Sequence, residues 1–418
     1  MTKQNIEAVP KRHCMIVHAH YPLGEPRVER EAQALLVGGY EVDVLCLRKE
    51  GELPFEVAEG VNVYRLPVKR DKSRGRAGQM LEYLSFLLLV FLRLFSLYPR
   101  RRYRTVQIHN LPDFLVFSAL LPKLGGARII LDLHDLMPEF FAGTYDKSMD
   151  SLPVRLLKFQ ERLSCMFADH VITVTDLWRQ TLIDRGVPAD KVSVVMNVAN
   201  SHIFNGRAIG QPADRQSRFE IIYHGNLSQR YGIDLLLRAV ALARKDIPEI
   251  HLTVHARGDY YEAVVALAKE LSLEKEVTFS TGLLPITDLP ALIRRADLAV
   301  VPYRRDVFTD GILPTKLMEY TALHVPVIAA RTPAIEAYFD EDMVYYFPPE
   351  DVEALGKAIV YLHGHRDRLK ELAANSDRFN KRYTWENIAQ RYFSLVERLP
   401  ASQESRLNAT DAKVTKES

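Results

Sequence analysis

The heptapeptide Pro314-Thr315-Lys316-Leu317-Met318-Glu319-Tyr320 decides how the second half of this chain folds. The apolar run Leu298 to Pro302 precedes it, and the apolar run Val325 to Ala330 follows it. Short apolar runs of this kind are typical of buried strands, so the heptapeptide is predicted to open a helix between two strands. Pro314 suits the first turn of that helix, because the N–H group that it lacks would have no partner there.

The first turn of this helix combines a cation with a hydrogen-bond acceptor. Lys316 and Glu319 are three residues apart and therefore share one face. The free N–H groups of a first turn attract an anion, and Lys316 adds a full positive charge. Glu319 lies one turn deeper and can accept two hydroxyl hydrogen bonds. The pattern fits a nucleotide diphosphate with its ribose; the alternative is a surface helix with an ordinary lysine–glutamate pair.

Length and composition narrow the class of protein. The chain has 418 residues, which suggests two or three domains. Its 47% hydrophobic and 26% charged residues are typical of a soluble globular protein, and a net charge of +2 implies no bulk attraction to nucleic acid. The three cysteines (Cys14, Cys46 and Cys165) form no disulfide or metal-binding pattern, so a reducing cytoplasm is expected. Residues 1–12 lack an apolar stretch, so no signal peptide is expected.

Strand and helix signals alternate along both halves of the chain. The predicted strands are 14–18, 41–47, 61–66, 106–109, 129–133, 171–175 and 192–196, then 219–224, 251–255, 276–280, 298–301, 325–329 and 344–347. This alternation predicts two α/β domains, each with a doubly wound parallel sheet. The polar stretch 201–218 is the expected linker. The expected divisions are an N-terminal domain at 1–205, a C-terminal domain at 206–382, a last helix at 383–400 and a disordered tail at 401–418.

Residues 81–98, LEYLSFLLLVFLRLFSLY, are apolar enough to suggest a membrane span, which needs about 20 apolar residues. Glu82 and Arg93 interrupt the segment, and a charge near the bilayer centre costs about 2.5–3.5 kcal/mol. Ten basic and two acidic residues lie between Lys69 and Arg104. We therefore expect a helix at about 78–104 that lies in the interface of an anionic membrane. The alternative is a core helix beside a solvated basic loop.

Four polar groups follow predicted strands, at the carboxyl ends where doubly wound sheets bind ligands. They are residues 18–27, residues 134–139, residues 224–232, and the helix start at Lys316 with Asp310 upstream. The sequence contains no GxGxxG after a strand, no GxxxxGK[ST] and no GxSxG, so dinucleotide, P-loop and serine-hydrolase sites are unsupported. Two polar rims facing a cleft predict that one domain holds a charged donor and the other an acceptor.

Together these motifs resemble retaining glycosyltransferases of family 4, which have the GT-B fold, over roughly Met15 to Leu399. Residues 225–232 resemble the G-R-L…K-G segment that binds the donor diphosphate. Residues 277–282 resemble the strand and glycine turn against which the nucleotide base packs. Residues 314–320 with Pro326 resemble P-x-K-x-x-E-Y…G-x-P, in which Glu319 takes the place of the glutamate that holds the ribose. Residues 132–139 resemble the H-D-x-x-P-E signature near the transferred sugar, residues 26–32 resemble the first helix of one branch, and residues 385–388 resemble the start of a last helix that crosses back to the N-terminal domain.

The resemblance assigns roles to individual residues. The expected catalytic residues are His134, Arg230 and Lys316. The expected nucleotide-sugar contacts are Gly225, Asn226, Gly282, Leu284, Asp310, Pro314, Thr315 and Glu319. The expected acceptor-side residues are Arg27, Asp135 and Glu139. Because two cations would stabilise the leaving diphosphate, no metal and no cofactor is expected.

Three positions depart from the family pattern. Gly311 stands where the first of two glutamates is expected, which leaves Asp310 to contact sugar hydroxyls. Asn226 replaces the usual arginine, so Arg230 is assigned to the diphosphate. His324 replaces a glycine and is expected to adopt an unusual backbone conformation.

The function that the resemblance implies is transfer of a sugar, with retention of configuration, from a nucleotide-diphosphate donor to a saccharide or polyprenyl-linked acceptor. The expected setting is cell-surface polysaccharide synthesis, in the cytoplasm at the inner face of the membrane. The alternatives are a GT-B transferase with a soluble acceptor, a non-catalytic GT-B binding protein, and a non-hydrolysing sugar-nucleotide epimerase of the same fold.

Overall fold

A computed structural model of the chain describes residues 11–22, 25–70, 75–205, 218–280, 282 and 284–399. The chain divides into two units: the first contains residues up to Met196 and again from Ile388, and the second is Asn197–Asn387. Most of the predicted linker and the whole predicted tail at 401–418 lie outside the described residues.

The sheet of the first unit has eight strands in the described residues. They are β1 (Arg12–Val17), β2 (Glu41–Leu47), β3 (Phe55–Ala58), β4 (Val61–Leu66), β5 (Thr105–His109), β6 (Arg128–Leu133), β7 (His170–Thr173) and β8 (Val192–Val194). Their order is β3-β4-β2-β1-β5-β6-β7-β8, and each pairing is parallel except that of β3 with β4. We did not predict the edge strand β3, because none of its side chains is buried and it therefore carries no apolar run.

Helices cover both faces of this sheet. They are α1 (Pro26–Val37), α2 (Gly75–Arg101), α3 (Leu120–Leu124), α4 (Met137–Tyr145), α5 (Leu152–Phe167) and α6 (Asp176–Asp184), with 3₁₀ helices at Asp113–Ala119 and Ala189–Lys191. The crossover from β1 to β2 moves towards the β3 edge of the sheet. The crossovers from β4 to β5, from β5 to β6 and from β6 to β7 all move towards the β8 edge. Right-handed crossovers therefore place α2, α3 and α5 on one face and α1 on the opposite face.

The second unit has a parallel sheet of six strands in the described residues, in the order β11-β10-β9-β12-β13-β14. They are β9 (Phe219–Asn226), β10 (Ile250–Arg257), β11 (Val277–Phe279), β12 (Leu298–Val301), β13 (Val327–Ala330) and β14 (Tyr345–Phe347). The strand order reverses between β9 and β12. Ligands of open α/β sheets bind outside the carboxyl ends of the strands at such a switch point, so the loops after β9 and β12 are the expected ligand site of this unit.

The remaining helices follow in chain order: α7 (Ile233–Ala243), α8 (Tyr261–Glu270), α9 (Leu289–Ile293), α10 (Thr315–Ala322), α11 (Pro333–Glu336), α12 (Val352–Gly364), α13 (Arg366–Asn375), α14 (Asp377–Arg382) and α15 (Trp385–Arg398). A 3₁₀ helix at Gln229–Tyr231 precedes α7. The last part of α15 belongs to the first unit. There the Phe393 ring occupies the space that a side chain at Gly38 would need.

The division between the two units lies after Met196, and the expected domain boundary was at 205. Residues 197–205 belong to the second unit, and two of them form hydrogen bonds within it. The Arg294 guanidinium donates to the carbonyl of Asn205, and the Ser201 hydroxyl donates to Glu386 at 2.7 Å. At the other end, the first unit resumes at Ile388, within α15, the helix that was expected at 383–400.

Candidate active site

Lys316 lies at the switch point of the second unit, in the first turn of α10. Its side chain is buried, with 6% exposed, and Nζ lies 3.9 Å from the centroid of the Tyr223 ring. The rings of Tyr231 and Tyr303 are 5.6 and 5.7 Å from the same nitrogen. Burial lowers the pKa of Lys316 to about 7, against the opposing influence of Glu319. Among the described residues no group accepts a hydrogen bond from Nζ.

This nitrogen is a donor that a ligand can satisfy. Buried polar groups in folded proteins nearly always have a hydrogen-bond partner, so a lysine amine without one marks a site where an acceptor is missing. The three aromatic rings attract the ammonium form but offer it no lone pair. An anionic oxygen placed beside Nζ would complete its environment.

Gly225 leaves the approach to Lys316 open. It precedes Asn226, the last residue of β9, and its φ of +109° is a conformation that favours glycine. A Cβ atom at this position would lie 3.5 Å from Cε and 3.6 Å from Nζ of Lys316. The backbone therefore favours glycine here, whereas a Cβ would make only van der Waals contact with the end of the Lys316 side chain.

Glu319 is bonded to a residue that we did not single out. Its Oε2 lies 2.6 Å from Nε2 of His224, and the Glu319 side chain is 17% exposed. The backbone N–H of His224 donates to the Tyr320 hydroxyl at 3.0 Å. His224 thus holds the carboxylate that was expected at the ribose, and it was detectable as the histidine that ends the predicted strand 219–224.

Arg230 and Asp310 both have partners within the loop that follows β12. The Arg230 guanidinium lies 4.9 Å from the Phe308 ring centroid, with Nε 3.9 Å from Asp306. Arg305 holds Asp310 through contacts of 3.0 and 2.9 Å, one to each carboxylate oxygen. The expected contact of Asp310 with sugar hydroxyls would therefore compete with the ion pair to Arg305.

The other expected nucleotide contacts lie around these residues. Asn226 and Thr315 are exposed, and Pro314 is the buried residue that caps α10 at its N-terminus rather than its first helical residue. Gly282 is exposed, and the N–H of Leu284 donates to Nε2 of His255 at 3.2 Å. His255, two residues before the end of β10, bonds this turn. We did not predict this role, although His255 ends the predicted strand 251–255.

In the first unit, His134 follows β6 and is held by three groups. Its Nε2 lies 3.0 Å from Nδ1 of His109 and 3.5 Å from Asp132, and its backbone N–H donates to the Asn110 side chain at 2.8 Å. Burial alone would lower the pKa of His134, but the Asp132 carboxylate raises it above its ordinary value. Burial lowers the pKa of His109 to about 4. Of the two rings, His134 therefore carries a proton more readily.

Arg27 does not lie on an open acceptor surface. It is 4% exposed, and its guanidinium forms a bidentate pair with Asp132 at 3.1 and 3.0 Å. It also bonds Glu31 at 3.1 Å and the Val195 carbonyl at 2.8 Å. The buried Asp132 carboxylate needs a charged partner, so Arg27 serves it in this structure, and an acceptor contact for Arg27 stays a prediction.

Glu139 is likewise engaged inside the first unit. It is 6% exposed and forms an ion pair with Arg185, which also binds Glu161 at 2.9 Å. Asp135 is half-buried, and its carbonyl accepts from Asn110 at 2.6 Å. An acceptor contact by the Glu139 side chain would break the pair with Arg185, which the sequence could not reveal.

Three side chains of the described residues are close enough to hold a metal ion. The ligand atoms of His109, Asp132 and His134 lie within 4.8 Å of one another. Both oxygens of Asp132 already accept from Arg27, and Gln107 donates to one of them at 3.1 Å. An ion would have to compete with a guanidinium, so we interpret the cluster as a hydrogen-bonded network that orients His134.

Two family models match the chain: the glycosyl transferase 4-like domain over residues 24–197 and glycosyl transferases group 1 over residues 218–365. The chain is 24% identical, over 74% of its length and 70% of the relative's, to a chitobiosyldiphosphodolichol beta-mannosyltransferase of Debaryomyces hansenii. It is 30% identical, over 33% of its length and 37% of the relative's, to a GDP-mannose-dependent alpha-(1-6)-phosphatidylinositol monomannoside mannosyltransferase of Mycolicibacterium smegmatis.

Solved structures share the fold at low identity. Sucrose-phosphate synthase from Thermosynechococcus elongatus has a TM-score of 0.75 at 17% identity, covering 93% of this chain and 99% of that one. Anabaena HepE in complex with UDP-glucose has a TM-score of 0.68 at 16% identity, covering 92% and 99%.

Proposed function

The chain belongs to the GT-B glycosyltransferases of the family 4 type, and we propose that it transfers a sugar from a nucleotide-diphosphate donor to a lipid-linked saccharide with retention of configuration. The observation that carries the donor half is the buried Lys316 amine without an acceptor, beside Gly225 at the switch point. The proposed acceptor class follows the names of the two similar mannosyltransferases, both of which describe transfer to lipid-linked saccharides.

In this proposal Lys316 and the first N–H groups of α10 bind the diphosphate. Negative charge grows on the leaving diphosphate as the glycosidic bond breaks, so a cation fixed there stabilises the transition state more than the ground state. A pair of unit charges 4 Å apart contributes about 4 kcal/mol at an effective dielectric constant near 20, before desolvation. We propose that this charge stabilisation suffices without a divalent metal, which turnover in excess EDTA would test.

We assign the ribose to Glu319, oriented by His224, and a contact with the transferred sugar to His134, as the resemblance implies. Arg230 is proposed as a second diphosphate cation. Because it stacks on Phe308 and lies near Asp306, its charge is partly neutralised before the donor binds. We therefore expect the loss of Arg230 to reduce turnover less than the loss of Lys316.

The membrane half of the proposal rests on α2. Residues Ala77–Arg101 are long and apolar enough to cross a membrane by length and composition, and 28% of the apolar window is buried. Glu82 points inward and lies 3.1 Å from the buried His18, which keeps one face of α2 on the first unit. We therefore propose peripheral contact with the inner face of a membrane, on the cytoplasmic side, rather than a span.

The basic segment at the end of α2 is only partly available to lipid. Arg101 is bonded to Asp43 at 2.6 Å and Glu41 at 2.9 Å, whereas Arg100 and Arg102 are exposed. The buried Asp43 carboxylate needs the charge of Arg101, so we assign lipid contact to Arg100 and Arg102 rather than to Arg101.

A donor screen tests the function directly. Uridine, guanosine and adenosine diphosphate sugars are compared by thermal shift, and the stabilising donor is then used in transfer to a polyprenyl-diphosphate saccharide and to a soluble saccharide. Lys316→Ala should lower turnover by about a hundredfold or more, since it removes the main cation from the leaving group. The matched control Lys357→Ala, at a lysine whose side chain is 81% exposed in the same unit, should not.

Wild-type turnover in Lys316→Ala would contradict the charge assignment. Transfer to the soluble saccharide alone would contradict the lipid-linked acceptor. The configuration of the new bond is read from the anomeric proton in the NMR spectrum of the product, and an inverted product would contradict retention.

A further inference from the structure

Helix α5 exposes an apolar stripe that the proposed function does not use. The stripe consists of Leu152, Leu156, Phe159, Leu163 and Met166, which are 69%, 59%, 60%, 40% and 65% exposed. Their spacing of three or four residues places them on one side of a 16-residue helix. Exposed apolar residues scattered singly need no explanation, but five on one helix face mark a surface that contacts something.

This stripe belongs to the same layer of the first unit as α2. The crossovers that contain α2, α3 and α5 step in one direction along the sheet, so right-handed connections place all three on one face. The 3₁₀ helix Asp113–Ala119 lies between α2 and α5. Its Phe114 meets Tyr83 of α2 at 6.4 Å, and its Phe117 meets Phe167 of α5 at 5.2 Å.

Exposed apolar side chains continue across the layer. On α2 they recur every three or four residues from Leu81, 64% exposed, to Phe95, 63% exposed. Between the two helices, Leu120 and Leu124 are 42% and 75% exposed. Since the inner side of the layer packs on the sheet, these side chains point away from it and form one face across α2, α3 and α5.

In the described residues of α2 and α5, acidic and basic side chains differ in their exposure to solvent. The acidic residues of α2 and α5, Glu82 and Glu161, are both buried, and they pair with His18 and Arg185. The exposed charges on α5 are those of Arg155 and Arg162, and Arg100 is exposed at the end of α2. The acidic residues Asp146 and Asp150 are exposed in the connection before α5, so the positive charge belongs to the helices themselves. An apolar face whose helices expose only basic charged side chains complements an anionic lipid surface.

We propose that α5 is a second membrane-docking helix, and that the outer face of α2, α3 and α5 lies on an anionic bilayer. This inference rests on the proposed membrane contact of α2 and widens it from one helix to a layer. A single helix can rotate about its axis on a membrane, whereas contacts at two separate helices fix the orientation of the first unit relative to the lipid. The unit would then meet a lipid-linked acceptor in one orientation.

Flotation with vesicles tests the role of α5 with α2 intact. The full chain is mixed with vesicles of phosphatidylcholine alone or of equal parts phosphatidylcholine and phosphatidylglycerol. Leu156→Gln with Phe159→Gln should lower binding to the mixed vesicles by about tenfold or more, because each replaced side chain loses its transfer from water into lipid. Glutamine retains a high helix propensity, and the exposed positions leave the fold intact.

The matched control is Val37→Gln, at a residue 90% exposed on α1, which lies on the opposite face of the sheet. It should bind mixed vesicles like the wild-type chain. Arg155→Glu with Arg162→Glu should remove the preference for phosphatidylglycerol. Wild-type binding by the Leu156/Phe159 variant would overturn the inference.

A second copy of the chain is the competing occupant of this face. Light scattering of the wild-type chain without lipid measures self-association. A dimer that the Leu156/Phe159 variant dissociates, together with no flotation of the wild type, would overturn the inference in favour of a protein interface. Transfer activity is measured separately on the wild type without vesicles, so that absent transfer with intact flotation counts against the proposed function alone.

Discussion

Lys316 is the residue at which stability and binding oppose each other most clearly. The pKa of a free lysine is near 10.5, and burial among Tyr223, Tyr231 and Tyr303 lowers it to about 7. An amine that is half-neutral at pH 7 binds a diphosphate only by regaining its proton. Donor binding in this unit should therefore be coupled to proton uptake.

We predict that the affinity for the nucleoside diphosphate falls as the pH rises above about 7. The free amine then loses its proton while the bound diphosphate favours the ammonium form, so the dissociation constant should increase by up to about tenfold per pH unit. Titration calorimetry in two buffers of different ionisation enthalpy measures the proton uptake. Lys316→Arg should abolish this slope, since a guanidinium stays charged. An equal slope in both proteins would assign the effect to a titrating group other than Lys316.

The burial of Lys316 also predicts that replacing this lysine with an apolar residue stabilises the ligand-free protein. The folded pKa of about 7 lies below the ordinary 10.5, so between these values the unfolded chain binds more protons and stability rises with pH. At pH 7 this destabilises the folded state by roughly 2–4 kcal/mol. Lys316→Met should recover most of that amount in urea unfolding at pH 7 and little at pH 10.5. A gain of the same size at both pH values would show that side-chain packing is its source.

At the scale of elements, helix α10 ends unusually. Its C-cap is Leu323, and His324 follows with a φ of +57°, so the expectation of an unusual backbone at His324 is confirmed. Glycine is preferred at this position because it has no Cβ to clash in the left-handed region. The His324 side chain is 45% exposed, and its ring nitrogen lies 3.6 Å from Asp377, too far for a strong compensating bond.

We predict that His324→Gly stabilises the second unit by about 1 kcal/mol, since it relieves the left-handed conformation. Urea unfolding of the full chain, followed by a probe in the second unit, measures the change. His324→Ala is the control: it keeps the Cβ and loses the contact with Asp377, so it should give no gain. A gain in the alanine variant would point to the imidazole rather than the backbone as the source of strain.

The elements were predictable to the extent that they bury apolar runs. Strands β2, β4 and β12 have the predicted bounds, because each is a continuous buried stretch or an alternating one. The exposed edge strand β3 left no such signal. The position of Lys316 at a helix start was also readable from its neighbours.

The surroundings of the site residues were not predictable in the same way. Arg27 and Asp132 are 105 positions apart and are brought together only by the packing of α1 against the sheet. The three rings around Lys316 come from β9, the following 3₁₀ helix and the loop after β12. A local pattern shows which side chains reach the rim of a sheet, but not which of them neutralise one another there.

At the scale of the whole molecule, the chain leaves the first unit at Met196 and returns to it at Ile388. The returning part of α15 carries Tyr392, which is fully buried and donates to the Gln107 side chain at 2.6 Å. Gln107 in turn donates to Glu31 at 2.8 Å and to Asp132 at 3.1 Å. The last helix thus completes the buried polar network that also orients His134.

We predict that Tyr392→Phe destabilises the first unit alone. The change leaves a buried acceptor of Gln107 without its donor, which costs about 1–3 kcal/mol. Hydrogen exchange followed by mass spectrometry should show faster exchange in β5 and β6, with β9 and β10 unchanged. The control Tyr361→Phe, at a tyrosine 43% exposed in the second unit, should leave both sheets as they are.

The pattern of exchange also tests whether the two units unfold independently. If β5 and β9 both exchange faster in Tyr392→Phe, the units unfold as one cooperative body, and the loss of one hydrogen bond is felt by the whole chain. If only the first unit responds, adding a nucleoside diphosphate should slow exchange in β9 but not in β5. The reason is that Lys316, the residue proposed to bind it, lies in the second unit. A mutation could then change the stability of the buried network around Gln107 without changing how tightly the second unit binds a nucleotide.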